Sequence, residues 1–263
     1  MDIFICYSRR DARNVAMQLS FSLGQMGFST LVDAEGIPTS DNFWVEIQAG
    51  ILESDIFLFV ITEQALISPY LHMELLFARR HSKRIITVSE EQVDTIDLIN
   101  SAHHNVIKQF SNNNFNSTKF SNLTDISIRD IDDNFGYLQF VRHYALASEV
   151  GSYDRDINAL ASVIREEQIP AQLHTQLLTQ ATKWNTNGRN PDNLLRGQEL
   201  RNAVQWIHSV DINSIPPTPL QIAYINASHR TNGKSLIEKW TVSYTHLRAH
   251  ETKANLVCRL LLE

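Results

Sequence analysis

Several things are missing from this chain, and each absence excludes something. No apolar run approaches the roughly 20 residues that a membrane-spanning helix needs, and Met1-Asp2 leads at once into a strand pattern with no signal peptide ahead of it. Cysteine occurs twice, as Cys6 and Cys258. Cys6 falls inside an apolar strand-like run and reads as a small core residue in a reducing compartment. Basic charge is also short: 23 Lys and Arg face 29 Asp and Glu, a formal net charge of −6, which argues against nucleic acid held on a basic surface. No GxGxxG follows the first apolar run and no GxxxxGK[ST] occurs anywhere, so the usual phosphate cradles are absent. Neither a Ser/His/Asp order nor a metal-spaced His/Cys set is present; His103 and His104 are adjacent in a polar stretch and do not make a ligand set. The expectation is a soluble cytoplasmic chain with no metal, no nucleic-acid partner and no membrane segment.

What remains is enough for a substantial core: 263 residues, 43% hydrophobic and 20% charged. "IFICY" at 3–7 is a continuous apolar strand of the kind buried on both faces. Ala12–Met26 has a helical apolar face that Gly27 ends, "FSTLV" at 28–32 is a second strand, and Asn42–Glu53 is a helix with Trp44, Ile47 and Ile51 on one side. "DIFLFVIT" at 55–62 is the clearest strand. A helix follows with Ser68 as N-cap and Pro69 at its first position, then "RIITV" at 84–88. Strands and helices alternating at this pace predict a parallel sheet covered on both faces. Beyond Ser89 the pattern weakens. Residues 111–125 are polar and asparagine-rich, a loop or insertion, "YLQFV" at 137–141 offers a fifth strand, and Asp154–Glu166 a closing helix.

From Pro170 the pattern is helical only. Leu173, Leu177, Ala181 and Trp184 share a stripe, a second helix runs near Leu194–Val210, and "SIPPTP" precedes a last helix with Leu220, Tyr224 and Ala227 in register. The end of the chain looks foreign. "VSYTHLRAHET" and "LVCRLLLE" are what the two ends of a widely used sequencing-library adapter would encode, in order and separated by a short spacer. Val242–Glu263 is therefore expected to be adapter read-through, and the natural protein to continue beyond Trp240.

One residue in the "SPYLHMELLFARR" helix is out of place. Its surroundings are Leu71, Met73, Leu75, Leu76, Phe77 and Ala78, yet Glu74 sits among them. A partly desolvated acid is a structural ion pair, here with Arg79, Arg80 or a neighbouring helix, or it is a working group. In an open parallel sheet, ligands collect at the carboxyl ends of strands. Those ends present Tyr7-Ser8-Arg9-Arg10, Asp33-Ala34-Glu35-Gly36 and Thr62-Glu63, with Glu74 on the helix after the third strand.

"IFICYSRRD" resembles the first box of Toll/interleukin-1 receptor (TIR) domains, "LVDAEGIP…FWVEIQAGILESD" their BB loop and following helix, "SPYLHMEL" the glutamate box of the enzymatic branch, and "KRIITV" the strand behind it. The match covers residues 2–88 in order and spacing and loosens toward 167. The resemblance implies a flavodoxin-like five-stranded parallel sheet with helices on both faces over residues 1–167, and, in many bacterial members, cleavage of the nicotinamide–ribose bond of NAD⁺ as a substrate, with no cofactor. It makes Glu74 the catalytic residue and Tyr7, Ser8, Arg9, Arg10, Asp33, Ala34, Gly36, Ile37, Trp44 and Tyr70 the border of the nucleotide pocket. Tyr70 stands where a tryptophan is common, Leu71 replaces a frequent cysteine, and Thr39-Ser40 replace a more usual glycine. Activity in the family usually needs association of TIR domains through the BB loop, so other TIR domains are expected partners. The alternative within the family is a non-catalytic interaction module. A receiver-type domain lacks support, because the paired acids after strand one and the strand-end lysine are missing. Residues 168–240 resemble the all-α connector seen before β-propeller repeats in large bacterial signalling proteins, and 241–263 are set apart as read-through.

Overall fold

The structure is a computed structural model that describes residues 1–32, 43–90, 93–111, 126–209 and 215–231. The chain divides into two compact units, Met1–Gln176 and Leu177–Glu263.

The first unit is built on β1 (Ile3–Cys6), β2 (Thr30–Val32), β3 (Ile56–Val60), β4 (Arg84–Glu90) and β5 (His143–Leu146). All adjacent pairs are parallel and the order is β2-β1-β3-β4-β5. This is the flavodoxin-like winding, with the order reversing between β1 and β3. Register places Cys6 beside Phe59 and Val60 beside Val88. β1 and β3 are buried at every position, which explains why they read as unbroken apolar runs.

The connecting helices are α1 (Arg13–Gln25), α2 (Phe43–Glu53), α3 (Glu63–Leu66), α4 (Pro69–Arg80), α5 (Thr95–Ser111), α6 (Ile128–Phe140) and α7, which begins at Val150. Phe4, Cys6, Phe57 and Phe59 share a core with Ile47 and Ile51 of α2, Leu71 and Leu75 of α4, Ile99 and Val106 of α5, and Ile131, Phe135 and Leu138 of α6. The alternate residues Ile3, Ile5, Ile56 and Leu58 are fully buried on the other face. There α1 and α7 meet, with Ser22 hydrogen-bonded to the Tyr153 hydroxyl. Gly50 lets α2 lie close on the sheet, since a Cβ there would come within 2.5 Å of Leu31 Cδ2.

Three expectations need correction. "YLQFV" is not a strand: residues 137–140 close α6, and the fifth strand is the next segment, His143–Leu146. A short apolar run has no periodicity of its own, and the real signal was upstream, where Ser127 and Asp130 form a reciprocal capping box. Asp154–Glu166 does not stop before Pro170, because α7 runs unbroken over Val150–Thr186 with the proline inside it. Burial of Ile157, Leu160, Ile164 and Ala171 along the first unit outweighs the lost backbone donor. Finally, residues 95–111, where the pattern reads as weakening and no element was placed, form α5. The loop 112–125 and the proposed read-through at 241–263 lie outside the described residues.

In the second unit, a 3-10 turn at Pro191–Asn193 leads to α8 (Gly197–Ser209) and α9 (Pro219–Thr231). Trp184 packs against Tyr224 with ring centroids 5.5 Å apart, and the Tyr224 hydroxyl donates to Asn193 O at 2.8 Å. Among the described residues, no helix is long and apolar enough to cross a membrane.

Candidate functional site

The loops after β1 and β3 are tied together. Thr62 Oγ1 donates to Asp11 Oδ1 at 2.9 Å, and the Gln64 amide donates to Asp11 Oδ2 at 3.1 Å. Thr62 also caps α3, accepting from the Ala65 amide at 3.2 Å. Alongside, the Arg10 guanidinium donates to Gln64 Oε1 at 3.3 Å and the Arg10 amide to Ser8 Oγ at 3.3 Å. Tyr7 and Ser8 are buried, Arg9 is half-buried and Arg10 is exposed. The strand-end residues after β1 and β3 thus form one braced rim.

Glu74 is 8% exposed, a buried carboxylate on a helix whose neighbouring positions are buried too. The helix that carries it is not the first after β3. The short α3 comes first, and Glu74 lies in the second turn of α4, about 8 Å along the axis from Pro69. Tyr70, Glu74, Phe77 and His81 follow one another along a single stripe. Trp44 of α2 meets that stripe, edge-on to Phe77 with centroids 5.9 Å apart, and Phe77 in turn lies 4.1 Å from the His81 ring. Trp44 is half-buried and Tyr70 is 44% exposed. Asp33, Ala34, Gly36 and Ile37, with the rest of the loop to Asp41, lie outside the described residues.

Arg79 and Arg80, the local ion-pair candidates for Glu74, turn toward α6. Arg79 Nη1 donates to Asn134 Oδ1 at 2.7 Å and its guanidinium stacks 4.8 Å over the Tyr137 ring. Arg80 pairs with Asp130 at 3.1 Å. Helical geometry agrees, since both side chains leave α4 at least about 120° from the direction of Glu74.

Behind Glu74, His72 is 3% exposed. Its Nε2 meets Leu66 O at 2.8 Å, and Asn134 Nδ2 donates to His72 O at 2.8 Å. Burial pulls the His72 imidazole down to about 4, only partly opposed by the bond to Leu66. The ring is therefore neutral at pH 7, with Nε2 as donor and Nδ1 as acceptor toward Asn134 Nδ2 at 3.4 Å. His81, on the Glu74 stripe, also has its pKa lowered by burial, against the bond that its ring makes to Phe77 O at 2.8 Å.

His72 and Asn134 were not singled out from the sequence, and Asp11 reads there only as turn and cap chemistry ahead of the first helix. Asp11 reaches partners 51 and 53 residues away, and Asn134 reaches across 62, so no local pattern announces either. Thr62 followed by Glu63 before an apolar pair was a legible cap.

The second unit carries a polar cleft of about 250 Å³ lined by residues that include Gln180, Lys183, Asp192, Glu199 and Tyr224. None of the candidate site residues drawn from the sequence lines it. Among the described residues no cluster of His, Cys, Asp and Glu could hold a metal ion.

Comparison with known proteins gives one family. No curated protein matches the chain significantly. Among solved structures, the TIR domains of the activated Roq1 resistosome directly recognizing the pathogen effector XopQ align with a TM-score of 0.48 and 14% identity, over 62% of this chain and 98% of that one. Residues 3–124 match the family model described as TIR domain. It is thus to the TIR domain that the strand-and-helix part of this chain is matched, over residues 3–124 of its 263.

Proposed function

We propose that the first unit cleaves the nicotinamide–ribose bond of NAD⁺, with Glu74 as the residue that stabilises the transition state. The observation that carries this reading is the burial of Glu74 at 8% exposure on the stripe of α4 that α2 covers with Trp44. A carboxylate kept in such a place has a strong electrostatic effect on a charge developing beside it. Departure of neutral nicotinamide leaves an oxocarbenium-like ribose, and a carboxylate beneath it stabilises that charge and holds the ribose hydroxyls. Tyr7, Ser8, Arg9 and Arg10 at the braced rim, with Asp33 and the loop from Ala34 to Asp41, border the nucleotide in this reading. The same loop joins one TIR domain to the next and completes the pocket, and the protein acts in the cytoplasm as part of a larger bacterial signalling or defence protein.

The test is nicotinamide release from NAD⁺ by concentrated or artificially clustered protein, compared with Glu74→Gln. Glutamine keeps the volume and removes the charge, so turnover should fall roughly a hundredfold or more. Equal turnover in both proteins rules out the glutamate. No turnover by the clustered parent leaves a TIR module that recruits partners without catalysis.

A further inference from the structure

We infer that Asn134 is a positioning residue: from α6 it fixes the rotational setting of α4 and thereby the direction in which Glu74 points. The inference rests on the proposed role of Glu74 and extends it to a residue on another helix.

Asn134 is fully buried, and all of its hydrogen-bonding groups are used on α4. Its Nδ2 donates to the backbone carbonyl of His72 at 2.8 Å and faces the Nδ1 acceptor of the same residue at 3.4 Å, while its Oδ1 accepts from Arg79 Nη1 at 2.7 Å. The two grips differ in kind. One is on the main chain of α4, which a change of rotamer cannot release. The other is charge-assisted and sits seven residues further along. Residues seven apart share a face of the helix, so Asn134 holds α4 at two points on one side.

Glu74 lies between those points in sequence and on the other side of the helix, about 160° round from His72 and about 140° from Arg79. The clamp acts on Glu74 through the angle at which it sets α4. A side chain carried about 6 Å from the helix axis moves roughly 2 Å for a 20° rotation. Misplacement by about 1 Å is enough to cost on the order of a hundredfold in rate. Apolar burial is non-directional, whereas a carbonyl-directed amide fixes an orientation. His72 supports the same setting from its other nitrogen, through the 2.8 Å contact to Leu66 O, and its ring packs on Phe135 with centroids 4.9 Å apart.

The experiment measures kcat and KM for NAD⁺ in the clustered full chain, with Asn134→Leu, Arg79→Leu and, as control, Asp130→Ala. Asp130→Ala removes one half of the α6 capping box and the exposed ion pair to Arg80 of α4 but leaves the Asn134 clamp intact. The expected result is a kcat lower by about tenfold or more in Asn134→Leu and by severalfold in Arg79→Leu, with KM within about twofold and the melting temperature no lower than that of the control. The control keeps the parental kcat despite its lost stability. An active parent with unchanged kcat in both clamp variants overturns the positioning role while leaving Glu74 in place. Loss of kcat in step with melting temperature across all three variants also overturns it, since the effect is then stability alone. A parent that leaves NAD⁺ intact, or a Glu74→Gln chain that is fully active, removes the glutamate reading and the clamp with it.

Discussion

Asp11 accepts two hydrogen bonds from the turn after β3, from Thr62 Oγ1 and from the Gln64 amide, and so joins two loops that are 51 residues apart in the chain. Replacing it by alanine frees the Gln64 amide and the start of α3. Hydrogen exchange at Gln64 should quicken by roughly fivefold or more, as expected for losing interactions of ordinary strength. The rim would then be looser, and if it borders NAD⁺ as proposed, KM should rise more than kcat falls. Unchanged exchange at Gln64 would mean that the tie contributes nothing.

Two buried histidines set the acid stability. His72 is held at about 4 and His174 at about 3, against an ordinary 6.5, in both cases chiefly by burial. The unfolded chain takes up protons at these rings as the pH falls below 6.5, while the folded chain does not. Stability present above that pH is therefore lost as the pH falls from 6.5 toward 4, by on the order of 3 kcal/mol for each ring. The urea midpoint should decline steeply across this range, above the region where most carboxylates titrate, and His72→Asn should flatten it. A midpoint constant from pH 7 down to 5 contradicts the expectation.

On the alkaline side, Lys83 is 5% exposed and donates to Leu52 O at 3.1 Å and Thr175 Oγ1 at 2.9 Å. Burial lowers its pKa from 10.5 to about 8, only partly opposed by the charge of Asp55. Above pH 8 the folded chain releases a proton that the unfolded chain keeps until 10.5, so this group adds stability as the pH rises through that window. The urea midpoint of the parent should rise relative to that of Lys83→Met from pH 8 to 10. The buried tyrosines that titrate nearby are common to both proteins. A constant difference would show that the ammonium is not desolvated as its position implies.

How much of this was legible follows the reach of each signal. β1, β3 and the Ser68-Pro69 start of α4 are written locally, in apolar runs and cap residues, and lie within a residue or two of where they were expected. The same local reading failed at "YLQFV", where five residues fit a strand as well as a helix end, and at Pro170, where tertiary burial overrides the residue's own preference. Glu74 could be found because a charge in an apolar helix is conspicuous. Asn134 could not, because an asparagine in the polar run "RDIDDN" is ordinary until the fold brings His72 and Arg79 to it.

A chain ending at Trp240 should melt within about two degrees of the full chain. If residues 241–263 are adapter-encoded they were never selected to pack, and changes away from packed features usually cost under about 0.5 kcal/mol. A drop of several degrees would identify residues 241–263 as a genuine element.

That shortened chain would also contain one thiol, since Cys258 is gone and Cys6 remains. Cys6 is 1% exposed in β1, beside Phe59 of β3 in the middle of the sheet. A thiol reagent cannot reach it until the central strands part, so its labelling rate is a clock on opening of the whole α/β unit. Any molecule that binds only the closed form slows that clock by mass action, whether or not it is consumed. With Glu74→Gln in the same chain, NAD⁺ that binds without being cleaved would announce itself as slower labelling of a sulfur that it never touches.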